Sequence, residues 1–158
     1  MLLWQAMQKT FPVQLVVVAA MFFSACGGSP TGPDSDDRNV QGVWQGTWLK
    51  SSCTGVGCDV VPVSGGLRLT LTQAGNAVQG TVELASFVIP ASGSVSNATL
   101  SLTGTTNQGG ATATLSSWNT TRSGSSLAGG FTLTIVPDNP QFGPQTVGIT
   151  LQNVSLTS

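Results

Sequence analysis

The sequence predicts an all-β domain, an eight-stranded antiparallel up-and-down meander closed into a barrel, with a two-sheet β-sandwich as the alternative. Three observations lead there. From residue 40 onward apolar side chains alternate with Thr, Ser and Gln at a period of two, the pattern of half-buried antiparallel strands. Short clusters of Gly, Asn and Ser interrupt the alternation, and short connections join neighbours as hairpins. No segment carries an apolar face at helical spacing with caps. Barrel and sandwich are separated by their edges. An open meander leaves two rows of unpaired backbone groups, which chains usually guard with Lys, Pro or bulges, and here Lys50 is the one lysine after Lys9. Closure removes both edges, and eight strands suit it, whereas short Gly-rich strands keep the sandwich open.

The strands follow in order. The first, at 43–49, lies within "GVWQGTW" (42–48). The second, "LRLTLTQ" (67–73), sets Leu67, Leu69 and Leu71 on one face and Arg68, Thr70 and Thr72 on the other. The turn Ala74-Gly75-Asn76 leads to "AVQGTVEL" (77–84), with Val78, Gly80, Val82 and Leu84 on one face. A fourth strand spans 87–96, and Ser96-Asn97 turns the chain into "ATLSLTG" (98–104), the core of a fifth strand at 98–105. Asn107 to Gly110 precede a sixth at 111–118, and Ser123-Gly124 precede a seventh at 127–136 that contains "FTLTIV" (131–136). The eighth, 146–156, contains "VGITL" (147–151). Branched Thr suits the solvent face of each.

The residues before the strands read as an address. Lys9 and the amino terminus precede "LVVVAAMFFSA" (15–25). Eleven residues rise about 16 Å as a helix, roughly half of a bilayer core, so the stretch is a leader's apolar region and not a spanning helix. It ends in "FSAC" (23–26), which resembles the cleavage motif of bacterial lipoprotein precursors: Ser24, Ala25 and Cys26 match, and Phe23 stands where that family usually has Leu. The resemblance implies a signal peptide at 1–25, diacylglycerol on the Cys26 sulfur, cleavage before it and acylation of the new amino group. Burial of acyl chains contributes roughly 0.8 kcal/mol per CH₂, and more than one chain is needed for stable attachment. "GGSPTGPDSDDRN" (27–39) then reads as a flexible tether. Gly27, by the sorting habits of enteric lipoproteins, points to the outer membrane of the bacterial cell envelope. The domain itself occupies 40–158.

With Cys26 lipidated, Cys53 and Cys58 remain as an even pair, and an exported compartment permits their disulfide. A metal site is the rival reading, but the chain has no His and few carboxylates to complete a ligand set.

"GVWQGTW" carries a second resemblance. A first strand opening Gly-x-Trp is similar to that of lipocalin- and avidin-type barrels, in which the Trp plugs one end; the positions are Gly42 and Trp44. The resemblance implies a lid after the first strand, where 50–66 lies. The last strand has no Arg to cover the Trp, and the lack of Tyr departs from the avidin biotin site. The resemblance therefore bears on architecture alone.

Composition excludes several functions. Lys and Arg total 5 against 6 Asp and Glu, too few cations to neutralise a phosphate backbone, so no nucleic-acid partner is expected. No His is present to activate Ser or Thr, and Asp59, Glu83 and Asp138 are the only carboxylates after residue 39. Enzymatic activity, a cofactor and a metal are not expected. The Asp cluster at 34–37 lacks calcium-loop spacing, and the sequons at Asn97, Asn119 and Asn153 are what a Thr-rich chain contains by chance.

Binding remains. The inward positions include Trp44, Gly46, Trp48, Gly80, Gly93, Ala111, Ala113 and Gly129. Small side chains there either leave room for a small hydrophobic ligand or supply the bends of a closed sheet. Trp44, Trp48 and Trp118 are the candidate ligand residues, with core packing as the alternative for the first two. Trp118 breaks the phase of Ala111, Ala113 and Leu115, so it either faces out, where it could stack on a carbohydrate or a protein, or is turned inward by a bulge. The expected function is a membrane-anchored lipoprotein with a ligand-binding barrel. The alternatives are a surface sandwich recognising carbohydrate or protein, and a structural envelope protein.

Overall fold

The computed structural model describes residues 35–157. The leader, Cys26 and the tether up to residue 34 lie outside the described residues. Gly32–Ser158 forms a compact unit of its own and contains all the strand pairing and the core described below.

A single 3-10 turn, Ser35–Arg38, precedes eight strands: β1 (Gly42–Thr54), β2 (Ser64–Ala74), β3 (Ala77–Leu84), β4 (Phe87–Ser96), β5 (Thr99–Gln108), β6 (Ala111–Ser123), β7 (Ser126–Pro137) and β8 (Gln145–Thr157). Each pairs antiparallel with the next, and β1 also pairs with β8, from Val43 opposite Thr157 to Thr54 opposite Thr146. The sheet is a closed barrel, which overturns the sandwich. Every strand interior has two hydrogen-bonded neighbours, so no lysine guard is needed.

β1 and β6 run furthest beyond the alternation, by five residues each at their ends, and bulges are the reason. The β1–β8 register shifts between Gln45 and Thr47 and between Lys50 and Ser52, which carries β1 on to Thr54. The β6–β7 register shifts between Ser116 and Asn119, with Ser117 at φ 50°, so Trp118, Thr120 and Arg122 are buried where the earlier phase would expose them. An extra residue flips every side chain beyond it to the other face. Asn153, also at positive φ (51°), marks a like irregularity in β8, a conformation that Asn tolerates better than most residues.

The other side of the barrel bends by glycine. Gly80, Ala91 and Gly104 face one another in register across β3, β4 and β5, forming a crease of residues with little or no side chain. A Cβ on Gly80 would collide with the carbonyl oxygen of Thr70, and one on Gly93 with that of Ser101. These inward glycines are filled by neighbouring backbone. They make the bend and leave no void, which decides between the two readings of the small inward residues at these positions.

Within the barrel a continuous core joins Trp44, Leu69, Val82, Ile89, Leu100, Leu115 and Val147, all at most 1% exposed.

Gly93→Ala is expected to destabilise the domain by about 1–3 kcal/mol through overpacking. Gly66 has no heavy atom within 4 Å of a Cβ position, so Gly66→Ala should be neutral or stabilising, by up to about 1 kcal/mol through the unfolded chain. Urea midpoints of the two variants check the contrast.

Candidate ligand-binding site

The barrel has two unlike ends, because all eight strands alternate in direction. One end gathers the β2–β3, β4–β5 and β6–β7 hairpins together with the chain entry at Ser35. This floor is plugged. Trp44 is fully buried, and its Nε1 donates to Val40 O (2.9 Å). Val40 N donates to Gln73 Oε1 (2.8 Å), and Gln73 Nε2 donates to Arg38 O and Gly75 O. The Asp37 carboxylate accepts from Gly124 N (2.7 Å), so the last residues of the segment read as tether pack on the barrel. The Arg122 guanidinium carbon lies 5.5 Å from the centroid of the Trp44 ring, and Arg122 Nε donates to Gly124 O. The aromatic face attracts the buried cation. The covering Arg thus comes from β6, where a search of the last strand does not find it.

Trp118 occupies the middle. It is buried and stacked on Phe131, with centroids 4.4 Å apart and an interplanar angle of 11°. Its Nε1 donates to Thr120 Oγ1 (3.0 Å). The expectation of an outward Trp118 offered to a carbohydrate or protein is therefore corrected: the bulge at Ser117 turns the ring inward.

Trp48 lies at the opposite end, the mouth, and lines a cavity of about 320 Å³. Phe87, Ile135, Val147 and Ile149 form its walls, Val60, Val61 and Pro62 its cover, and Ser86 is its one polar side chain. No charged residue lines it. Of the three tryptophans in the domain, only Trp48 touches this space. Its Nε1 is buried without a hydrogen-bond partner and packs against Gly65, whose Cβ, if present, would lie 2.8 Å away. An unmade buried hydrogen bond costs about 1–3 kcal/mol, and the apolar packing of the indole offsets it.

The cover is the loop 55–63 between β1 and β2, and three restraints hold it. A disulfide joins Cys53 to Cys58, with Cα atoms 5.8 Å apart. Lys50 Nζ donates to Cys58 O (3.0 Å) and Val61 O (2.8 Å). Lys50 N donates to Val63 O (2.8 Å). The exposed large apolar side chains of the described residues cluster at this end: Val56, Val60 and Val63 on the loop, Phe142 between β7 and β8, and Leu49, Val88 and Val136 towards the strand ends. An apolar rim around an apolar cavity is the composition of a binding mouth.

A larger hollow of about 640 Å³ lies on the outer face, where the glycine crease draws the sheet inward. It is a shallow groove open to solvent, lined by Gln79, Ser92, Thr103, Thr105 and Thr114 around Gly80 and Gly104. It offers neither an aromatic platform nor a charge. The mouth cavity is the better-built site.

Alternation put Trp48, Leu84, Ile135 and Ile149 on the inner face but did not show which inner residues meet at the mouth. Phe87 and Ile135 stand at strand ends, where a two-residue period cannot tell mouth from wall. Lys50 looks in sequence like an ordinary surface charge. Of the carboxylates, Glu83 faces out beside Arg68 (3.6 Å), an exposed pair of small energetic weight.

Replacing both Cys53 and Cys58 by Ser should cost at most about 2 kcal/mol, the loop-closure term for so short a ring. Amide exchange should quicken in 55–63 while the strands stay protected; equal loss of protection in both would contradict a lid held separately from the barrel. Comparison with protein families, with curated proteins and with solved structures finds no match to this chain.

Proposed function

We propose that this chain is a lipid-anchored protein of the bacterial cell envelope whose barrel holds a small hydrophobic molecule at its mouth. The observation that carries the binding reading is the cavity of about 320 Å³ walled by Trp48, Phe87, Ile135 and Ile149 beneath the disulfide-pinned loop. It falls within the size and lining expected of a site for a small ligand, and burying a ligand's apolar surface there yields roughly 25 cal/mol per Å² before the costs of association. The floor is packed instead, with Trp44 and Val40 fully buried and Arg122 over the Trp44 ring. A closed barrel plugged at one end and covered by a restrained loop at the other suits storage or transfer of a guest more than catalysis. The outer-membrane location rests on Gly27 and the anchor on "FSAC" (23–26).

Titration with a lipophilic fluorophore should give a saturable blue shift of the fluorophore's own emission, with affinity weakened at least about tenfold by Trp48→Ala, since a buried aromatic at the centre of a site contributes about 2 kcal/mol or more. Trp118→Phe should leave the affinity unchanged. A spectrum indifferent to every lipophilic titrant would favour a purely structural envelope protein. For the anchor, Cys26→Ser should move the protein from the membrane to the soluble fraction; continued membrane retention would rule out anchoring through that sulfur.

A further inference from the structure

We propose that the mouth site takes a single-chain amphiphile with an anionic head, its tail in the cavity and its head on Lys50. This deepens the reading of the mouth as an apolar-ligand site and rests on it.

The argument starts from where Lys50 stands. It follows Trp48 by two residues on β1 and lies opposite Ile149 of β8, so by strand alternation it shares the inner face with two residues that line the cavity. Its Nζ reaches the carbonyls of Cys58 and Val61, and Val61 lines the cavity as well. The ammonium is thus at the boundary between the cavity and its cover. An ammonium carries three donors, and two are used here on neutral carbonyls. No carboxylate of the described residues lies within ion-pair distance of it; the ion pair among them is Arg68–Glu83 on the outer wall. Asp59 and Asp138, the exposed carboxylates at the mouth end, remain in water. Arg38 and Arg122 are at the floor. Among the described residues Lys50 is consequently the one cation of the mouth end, half-buried and with no carboxylate within ion-pair distance. A partly desolvated cation with a spare donor favours an anion, and charge-assisted hydrogen bonds are the stronger kind.

The cavity sets the rest of the ligand. At about 30 Å³ for a water-sized group such as a methylene, about 320 Å³ accommodates roughly ten carbons. That matches one medium aliphatic chain and is too small for two acyl chains. The walls carry no charge, so the head must sit at the edge, where Lys50 is. The cover then closes over the tail with Lys50 joining it to the head.

The test uses the compact unit Gly32–Ser158 and two titrants of equal chain length, decanoate and decanol, at neutral pH, read by tryptophan emission. Decanoate is expected to bind at least about tenfold more tightly, the factor a charge-assisted contact supports. Lys50→Met should abolish that preference, bringing the ratio of the two affinities to about one whatever the loosened cover does to their absolute values, and Lys50→Arg should keep it. Thermal unfolding establishes that each variant is folded; if Lys50→Met is not, the comparison of titrants on the parent and on Lys50→Arg decides. Equal affinity for both titrants, or a preference that survives in folded Lys50→Met, overturns the assignment and leaves the apolar-site reading standing. Failure of both titrants to bind overturns the two readings together. Binding to vesicles of a two-chain anionic phospholipid without binding to decanoate overturns the single-chain assignment.

Discussion

Everything in this domain depends on β1 being hydrogen-bonded on both sides, to β2 from Gly42 to Leu49 and to β8 from Val43 to Thr54. That double pairing turns a ribbon with two adhesive edges into a cylinder with none. It also fixes the enclosed volume, because eight strands at fixed spacing leave an interior that side chains can just fill. Large residues can then pack only where the cylinder is wide, and the wall must bend where it is narrow. The glycine crease on β3 to β5 and the bulges on β1, β6, β7 and β8 are two answers to one geometric demand.

Closure explains why few polar side chains are buried among the described residues, namely Thr120, Arg122 and Gln145. Arg122 is held by Trp44 and Gly124 O, Thr120 by the Trp118 indole, and Gln73 by Val40, Arg38 and Gly75. A buried group without such partners is expensive. The exception is Trp48 Nε1, at the end where packing is looser and an apolar wall is the feature that matters. Order is concentrated at the floor, and the unfilled space is left at the mouth.

The strands were legible because a two-residue period survives wherever one face is buried. Leu67, Leu69 and Leu71 alternate with Arg68, Thr70 and Thr72, and the barrel places them as that pattern implies. Closure was arguable from the scarcity of lysine, and the Cys53–Cys58 pair from counting cysteines. What escaped were features that depend on registers between distant strands. Ser117 is an ordinary serine in sequence, and only its positive φ reverses the phase and brings Arg122 over Trp44, 78 positions away in the chain. Lys50 was illegible for a like reason: its role comes from carbonyls on a loop whose path the disulfide dictates. The inward glycines were read in two ways, and only the neighbouring backbone distinguishes a hole from a fold line.

The chain enters the barrel at Ser35, beside the β6–β7 hairpin that Asp37 holds, at the pole opposite the loop 55–63. An attachment made at that point is made at the sealed base, away from the loop 55–63. A bead, a chip surface or a reporter fused at this end is therefore out of the way of traffic, whereas the same cargo grafted into the β3–β4 or β7–β8 connection would stand on the threshold.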